Sequence, residues 1–306
     1  MRLQEEAIAV SPSGSDLYAG MLSNLSVLLF RRVLAGGDPA DNTRGIAALK
    51  EAAETAPPDS IDAARIGINL ASRQWAVYVL SSDLSHLEGA IDGFERILAR
   101  APDASSYRLS AAVGLAHALR DRFRLQGKQE DRDRAIELYR DGMGVAGATA
   151  PETALLVSRA WSGWAEEREA WTEASEALTS GIEVMHDLVS STLLRPGKES
   201  WLREARRLPV RAAYARVRAG DARGAVTDLE GGRALLLSEA LDLQLADLES
   251  LSSNRHDLFE RYQAAADRWG QLGRRAQGDD LQIIEESPFS GSRDLTEDLR
   301  RAKSGP

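Results

Sequence analysis

A 45-residue spacing recurs along the first part of this chain. The residues that keep it are Pro12, Pro57 and Pro102, then Leu25, Leu70 and Leu115, and then Ile46, Ile91 and Ile136. A single insertion would break this shared register, so three positions held across three copies indicate a repeated unit. Repeats of this size are typical of solenoids, in which each unit buries its apolar face only against its neighbours.

Apolar residues within each copy recur at helical spacing. In the first copy, Leu22, Leu25 and Leu29 share one helix face, Gly36–Pro39 ends the helix, and Ile46 belongs to a second helix. Aromatic residues, which favour strands, make up only 6% of the 306 residues. We therefore expect an all-α protein with one helical hairpin in each copy.

The breaks in this pattern predict five segments. They are the end of a helix over 1–10, three elongated repeats over 11–146, two helix pairs with long helices over 147–250, a capping helix over 251–274 and a polar tail or linker over 275–306. The fourth and fifth copies have tighter connections than the first three. The second helix of the fourth copy is expected to reach Leu194, where Arg195 and Pro196 stop it.

The second helix of each copy carries a small residue and, four positions later, a bulky one. The pairs are Gly45 and Leu49, Ala90 and Phe94, Ala135 and Tyr139, Ala174 and Leu178, and Ala225 and Leu229. This pattern resembles the tetratricopeptide repeat (TPR), whose unit has 34 residues. The resemblance implies a right-handed superhelical solenoid of about five antiparallel helix pairs plus a C-terminal capping helix. We expect about eleven extra residues between the helices of each of the first three copies.

The elongated copies, with Leu22–Leu25 followed by a Gly-Asp loop, resemble bacterial and especially actinomycete proteins whose TPR arrays precede a caspase-like CHAT domain. The stretch Leu229–Leu241 carries the most specific part of this resemblance, which covers about Ser11 to Leu272 and stops where the CHAT domain begins. Members with that domain use a His and Cys pair, and this chain has no cysteine. The resemblance therefore implies a sensing or regulatory part without catalytic chemistry.

The sequence predicts neither an enzyme nor a cofactor or metal site. The net charge of −9 disfavours nucleic acid as a partner, since binding to phosphates needs clustered basic residues. The four histidines lack the paired spacing of metalloproteases, and Gly197-Lys198 lacks the glycine required five positions earlier in a phosphate-binding loop.

The N-terminal segment predicts the cellular location of the protein. Met1–Val10 contains Glu5 and Glu6 and has no apolar core, so no signal peptide is predicted. Leu22–Leu34 is short and interrupted by arginines, so no membrane span is expected. We expect a cytoplasmic protein.

The TPR resemblance implies that the first helices line a concave groove that binds a protein or peptide. The residue before each repeated leucine would face this groove, and neighbouring turns would add a basic strip suited to an acidic segment. The candidate groove residues are Asn24, Arg31, Arg65, Asn69, Trp75, His117, Arg120 and Arg159. Trp161 occupies the large-residue position of its first helix and is predicted to be core.

Two other functions stay open at this point. One is an enzyme or small-molecule binder with a site between the superhelix and the long helices at Ala174–Leu194 and Ala222–Leu245. The other is self-association through an uncapped end of the array. The groove residues could also be scattered solvated side chains.

Overall fold

The computed structural model describes residues 2–13, 15–57, 60–100, 106–191, 207–245 and 260–261. Within these residues it contains helices and no strand, which confirms the all-α prediction. The helices are α1 (Arg2–Val10), α2 (Asp16–Leu34), α3 (Ala40–Thr55), α4 (Ile61–Ser81), α5 (Leu84–Arg100), α6 (Ser106–Gln126), α7 (Gln129–Thr149), α8 (Pro151–Glu167), α9 (Trp171–Ser191), α10 (Leu208–Arg218) and α11 (Ala222–Leu245).

The 45-residue spacing reappears in the starts of the helices. Helices α2, α4, α6 and α8 begin at Asp16, Ile61, Ser106 and Pro151, each 45 residues after the one before. Two N-caps keep the same interval, because the Ser15 hydroxyl accepts the Tyr18 N–H at 3.1 Å and the Ser60 hydroxyl accepts the Ala63 N–H at 3.0 Å. These caps satisfy N–H groups that have no partner within the helix, so they fix where each helix starts.

The connections within the repeats are shorter than the sequence predicted. Ser82–Asp83 alone joins α4 to α5, and Gly127–Lys128 alone joins α6 to α7. The expectation of about eleven extra residues between these helices is wrong. The additional residues lengthen the helices, since α4 and α6 have 21 residues each and α8 has 17. Ser82 and Gly127 adopt left-handed φ angles of 61° and 69°, which end the first helix abruptly.

Two of the small-then-bulky pairs lie in the core between helices. Ala90 and Phe94 are both fully buried on α5, and Ala174 and Leu178 are fully buried on α9. The Phe94 ring lies against Gly114 on α6, where an added Cβ would be only 2.4 Å from Phe94 Cζ. A glycine in α6 therefore allows α5 and α6 to approach closely.

The helix contacts divide the chain into two units, with the division inside α7. The first unit contains the described residues of Met1–Leu138, and the second contains those of Tyr139–Gly278. In the first unit, sequential helices from α1 to α6 pack on one another, α2 also contacts α4, and α4 contacts α6. In the second unit, α8 packs on α9, α9 on α10, and α10 on α11.

Several predicted segments lie outside the described residues. The described part of helix α9 ends at Ser191, so the predicted extension of this helix to Leu194 lies outside the described residues. The same is true of the polar tail and of the capping helix apart from Glu260 and Arg261. The fifth helix pair is present as α10 and α11, which Gly220 and Asp221 connect as expected.

Helix α2 is long and apolar enough to cross a membrane. Residues Leu17–Leu34 have a mean hydropathy of 1.2, and 33% of this window is buried. Such a window is weak evidence for a span, because core helices of soluble proteins share these properties. Here α2 packs against α3 and buries the hydroxyl-bearing residues Ser23 and Ser26 completely.

Candidate partner-binding surface

Buried side chains on α4 bond back to α2, one repeat earlier. Asn69 donates from Nδ2 to the Ser23 hydroxyl at 3.1 Å, and Arg73 donates from Nη2 to the Ser26 carbonyl at 3.0 Å. The partners are 46 and 47 residues apart, close to one repeat length. Since Asn69 is only 6% exposed and already bonded, it holds two first helices together rather than presenting a free amide to a partner.

Arg73 is a buried cation without a carboxylate partner among the described residues. Its guanidinium lies 3.9 Å from the centroid of the Phe30 ring, and its Nε and Nη1 have no hydrogen-bond partner there. Desolvation lowers the pKa of Arg73 to about 9. The stacking on Phe30 offsets part of the cost of burying this charge.

The contact between α4 and α6 is built around the carboxylate of Asp121. Trp75 donates its indole N–H to Asp121 Oδ2 at 2.9 Å, while Arg120 and Arg124 donate to Oδ1 at 3.0 and 3.3 Å. Burial alone would raise the pKa of Asp121, but the charges and hydrogen bonds of its partners outweigh burial, and the pKa is lowered. Asp121 therefore carries its negative charge inside the protein at neutral pH.

His117 joins this cluster from the same helix as Asp121. Its ring stacks on Trp75, with centroids 5.8 Å apart and planes inclined by 24°, and its Nδ1 lies 3.4 Å from Arg120 Nη1. Desolvation, with the positive charges of Arg120 and Arg124, lowers the pKa of His117 to about 3. The imidazole is therefore neutral at physiological pH and works as a packing group.

An arginine–aspartate pair closes the hairpin in two of the first three repeats. Arg32 pairs with Asp41 between α2 and α3, and Arg122 binds both oxygens of Asp131 at 2.7 Å between α6 and α7. The two pairs are 90 residues apart, which is twice the repeat spacing. The corresponding positions in the middle repeat are Val77 and His86, which cannot form this pair.

One side of α2 stays accessible to a partner. Asn24, Leu28 and Arg31 lie four and three residues apart, so they share one face of the helix, and all three are exposed. Arg31 has no ion pair among the described residues. These three residues, called the α2 face below, combine an amide, an apolar side chain and a cation.

The structure places the eight predicted groove residues in different environments. Trp75, His117 and Arg120 meet in one cluster, where Trp75 is 1% and Arg120 is 5% exposed. Arg65 is half-buried and pairs with Asp62 at 3.0 Å. Arg159 is half-buried on α8, in the second unit. Of the predicted set, only Asn24 and Arg31 are exposed, and the other six are half-buried or buried.

Sequence reasoning overlooked Leu28, Arg73 and Asp121. Leu28 could have been found, since it lies between Asn24 and Arg31 on one helical face. Asp121 and Arg73 gave no signal, because their roles depend on which helices lie side by side. In the described part of the chain, no group of three or more His, Cys, Asp or Glu residues is positioned to hold a metal ion.

No model of a known protein family matches the chain, and a search of curated proteins gives no match either. The TPR and CHAT resemblance therefore remains a prediction from the residues that carry it.

Proposed function

We propose that this protein is a non-catalytic scaffold for protein–protein interaction, built as a TPR-like right-handed solenoid. The observation that supports it best is the set of side-chain bonds between first helices about one repeat apart. Asn69 reaches Ser23 and Trp75 reaches Asp121, each across 46 residues. The second unit contains a similar bond, since Arg211 on α10 donates to Glu166 on α8, 45 residues away. Such bonds fit hairpins stacked in one orientation.

The α2 face is the part of this scaffold that we assign to the partner. Its exposed cation, amide and leucine suit an acidic protein segment with apolar side chains. By the CHAT resemblance, this scaffold would be the sensing part of a CHAT-type effector system. Co-purification with a CHAT protein encoded next to this gene would test that association.

The binding experiment uses a fluorescein-labelled peptide of alternating Glu and Leu, followed by anisotropy. Arg31→Glu combined with Asn24→Ala is expected to weaken binding at least tenfold, because it replaces attraction by repulsion and removes the amide. Arg96→Glu on α5 is the matched control, since Arg96 is exposed and the charge change is the same. Equal affinity for the parent and the α2-face variant would contradict the assignment, as would equal weakening by Arg96→Glu.

A further inference from the structure

A half-open groove of about 330 Å³ lies between α7 and α9 in the second unit. Its floor is apolar and well buried, formed by Met143 at 5%, Trp161 at 1% and Val184 at 7% exposure. The burial of Trp161 confirms that it is core, and the Trp161 N–H donates to Glu173 at 2.7 Å. The groove thus has a well-packed, apolar floor.

The α9 wall of this groove is acidic. Glu176 is neutralised by Arg140, which donates to its two oxygens at 2.5 and 2.8 Å. Glu183 and Asp187 are exposed and form no ion pair with any residue that the structure describes. They lie four residues apart, about one helical turn, so two uncompensated negative charges line the same wall.

The α7 wall is formed partly by small residues. Gly144 and Gly147 line it, and a Cβ added at Gly144 would have no atom within 4 Å. The lack of side chains at these two positions leaves room for the backbone of another chain to come close.

We propose that this groove binds an extended, arginine- or lysine-rich segment of a partner protein. Long cationic side chains suit it, because their aliphatic stems can cover the apolar floor while their charged ends reach Glu183 and Asp187. The two carboxylates are separated by about 6 Å along the helix axis. Alternate side chains of an extended strand are separated by about 6.6 Å, so two of them match this spacing. The site differs from the α2 face in location and in the sign of its charge.

The test uses a fluorescein-labelled peptide of alternating Arg and Leu with the full-length protein. Glu183→Gln with Asp187→Asn is expected to weaken binding at least tenfold. Gly144→Leu should weaken it similarly by filling the groove without changing any charge, and circular dichroism checks that this variant folds. The charge variant alters only exposed side chains, so it remains informative if Gly144→Leu does not fold.

Two matched controls separate groove binding from general attraction to an acidic protein. Asp92→Asn with Glu95→Gln removes two charges from α5, and Gly163→Leu fills open space beside α8, where an added Cβ meets no atom within 4 Å. Both are expected to stay within twofold of the parent. Equal weakening by the α5 variant, parent-like binding by the groove variants, or no binding by the parent would overturn the proposal. The Glu-Leu peptide at the α2 face reports separately on the proposed function.

Discussion

The indole N–H of Trp75 on α4 and the carboxylate of Asp121 on α6 lie 2.9 Å apart, with both side chains buried. Arg120 and Arg124 bind the same carboxylate from its own helix. One acidic group thus satisfies donors from two consecutive repeats. The contact between these repeats is therefore specific in chemistry as well as in shape.

Replacing Asp121 should destabilise the protein strongly. Asp121→Ala removes the carboxylate that Trp75 and Arg120 share, and breaking a buried charged network costs about 3–5 kcal/mol of unfolding free energy. Urea denaturation measures this, with Asp92→Ala on the exposed surface of α5 as the control. A loss for Asp121→Ala no larger than that for the control would show that the network contributes no stability.

His117 should make the protein less stable as the pH falls. Its pKa is about 3 in the folded state against 6.5 ordinarily, so between these values the unfolded state binds a proton that the folded state does not. The unfolding free energy therefore decreases from pH 7.5 to pH 4.5. The slope contributed by His117 cannot exceed the single-proton limit of about 1.4 kcal/mol per pH unit, because only one proton is bound differently by the two states.

His117→Phe keeps a ring against Trp75 and removes the titrating group. Denaturation curves at several pH values should show a smaller slope for this variant than for the parent. Identical slopes would mean that His117 titrates at its ordinary value.

Two glycines in helices should respond to alanine in opposite ways. Gly114→Ala places a Cβ 2.4 Å from Phe94 Cζ, and such overpacking costs about 1–3 kcal/mol. Gly163→Ala meets no atom within 4 Å and should stabilise the protein by about 0.5–1 kcal/mol through helix propensity. Thermal unfolding of both variants distinguishes close packing from propensity. Stabilisation by Gly114→Ala would show that α5 and α6 are not in close contact there.

Arg73 should be replaceable by an apolar residue without loss. Arg73→Met removes a desolvated charge, keeps a long side chain beside Phe30, and should change the unfolding free energy by between zero and about +2 kcal/mol. Arg96→Met on the exposed side of α5 provides the comparison. Urea titration resolves the difference, and a clear destabilisation by Arg73→Met alone would mean that its bond to the Ser26 carbonyl outweighs the cost of desolvation.

Removing the ion pair between Arg122 and Asp131 should destabilise the protein moderately. Asp131→Ala leaves Arg122 without its bidentate partner. We expect the free energy of unfolding to fall by about 1.5–3 kcal/mol, which is the usual contribution of a hydrogen bond to a charged group. Asp133→Ala, which alters an exposed acid of the same helix, is the control in chemical denaturation. If both variants unfold at the same urea concentration, the pair contributes nothing to the stability of that hairpin.

The repeat spacing predicted one helical hairpin in each copy, and the caps at Ser15 and Ser60 follow the same 45-residue register. The length of each connection was not predictable in the same way, since an αL residue such as Ser82 can end a helix where no glycine marks it. Exposure was the least predictable property. Trp75 departs from the local apolar stripe, yet it is buried because the next repeat supplies Asp121.

The bonds that cross from one first helix to the next limit how this protein can be shortened. A version trimmed after Arg100 would uncover the indole of Trp75 and delete the acid that it binds. A smaller derivative would therefore need polar side chains at its new end, because the side of α4 that carries Trp75 would lose its cover from α6.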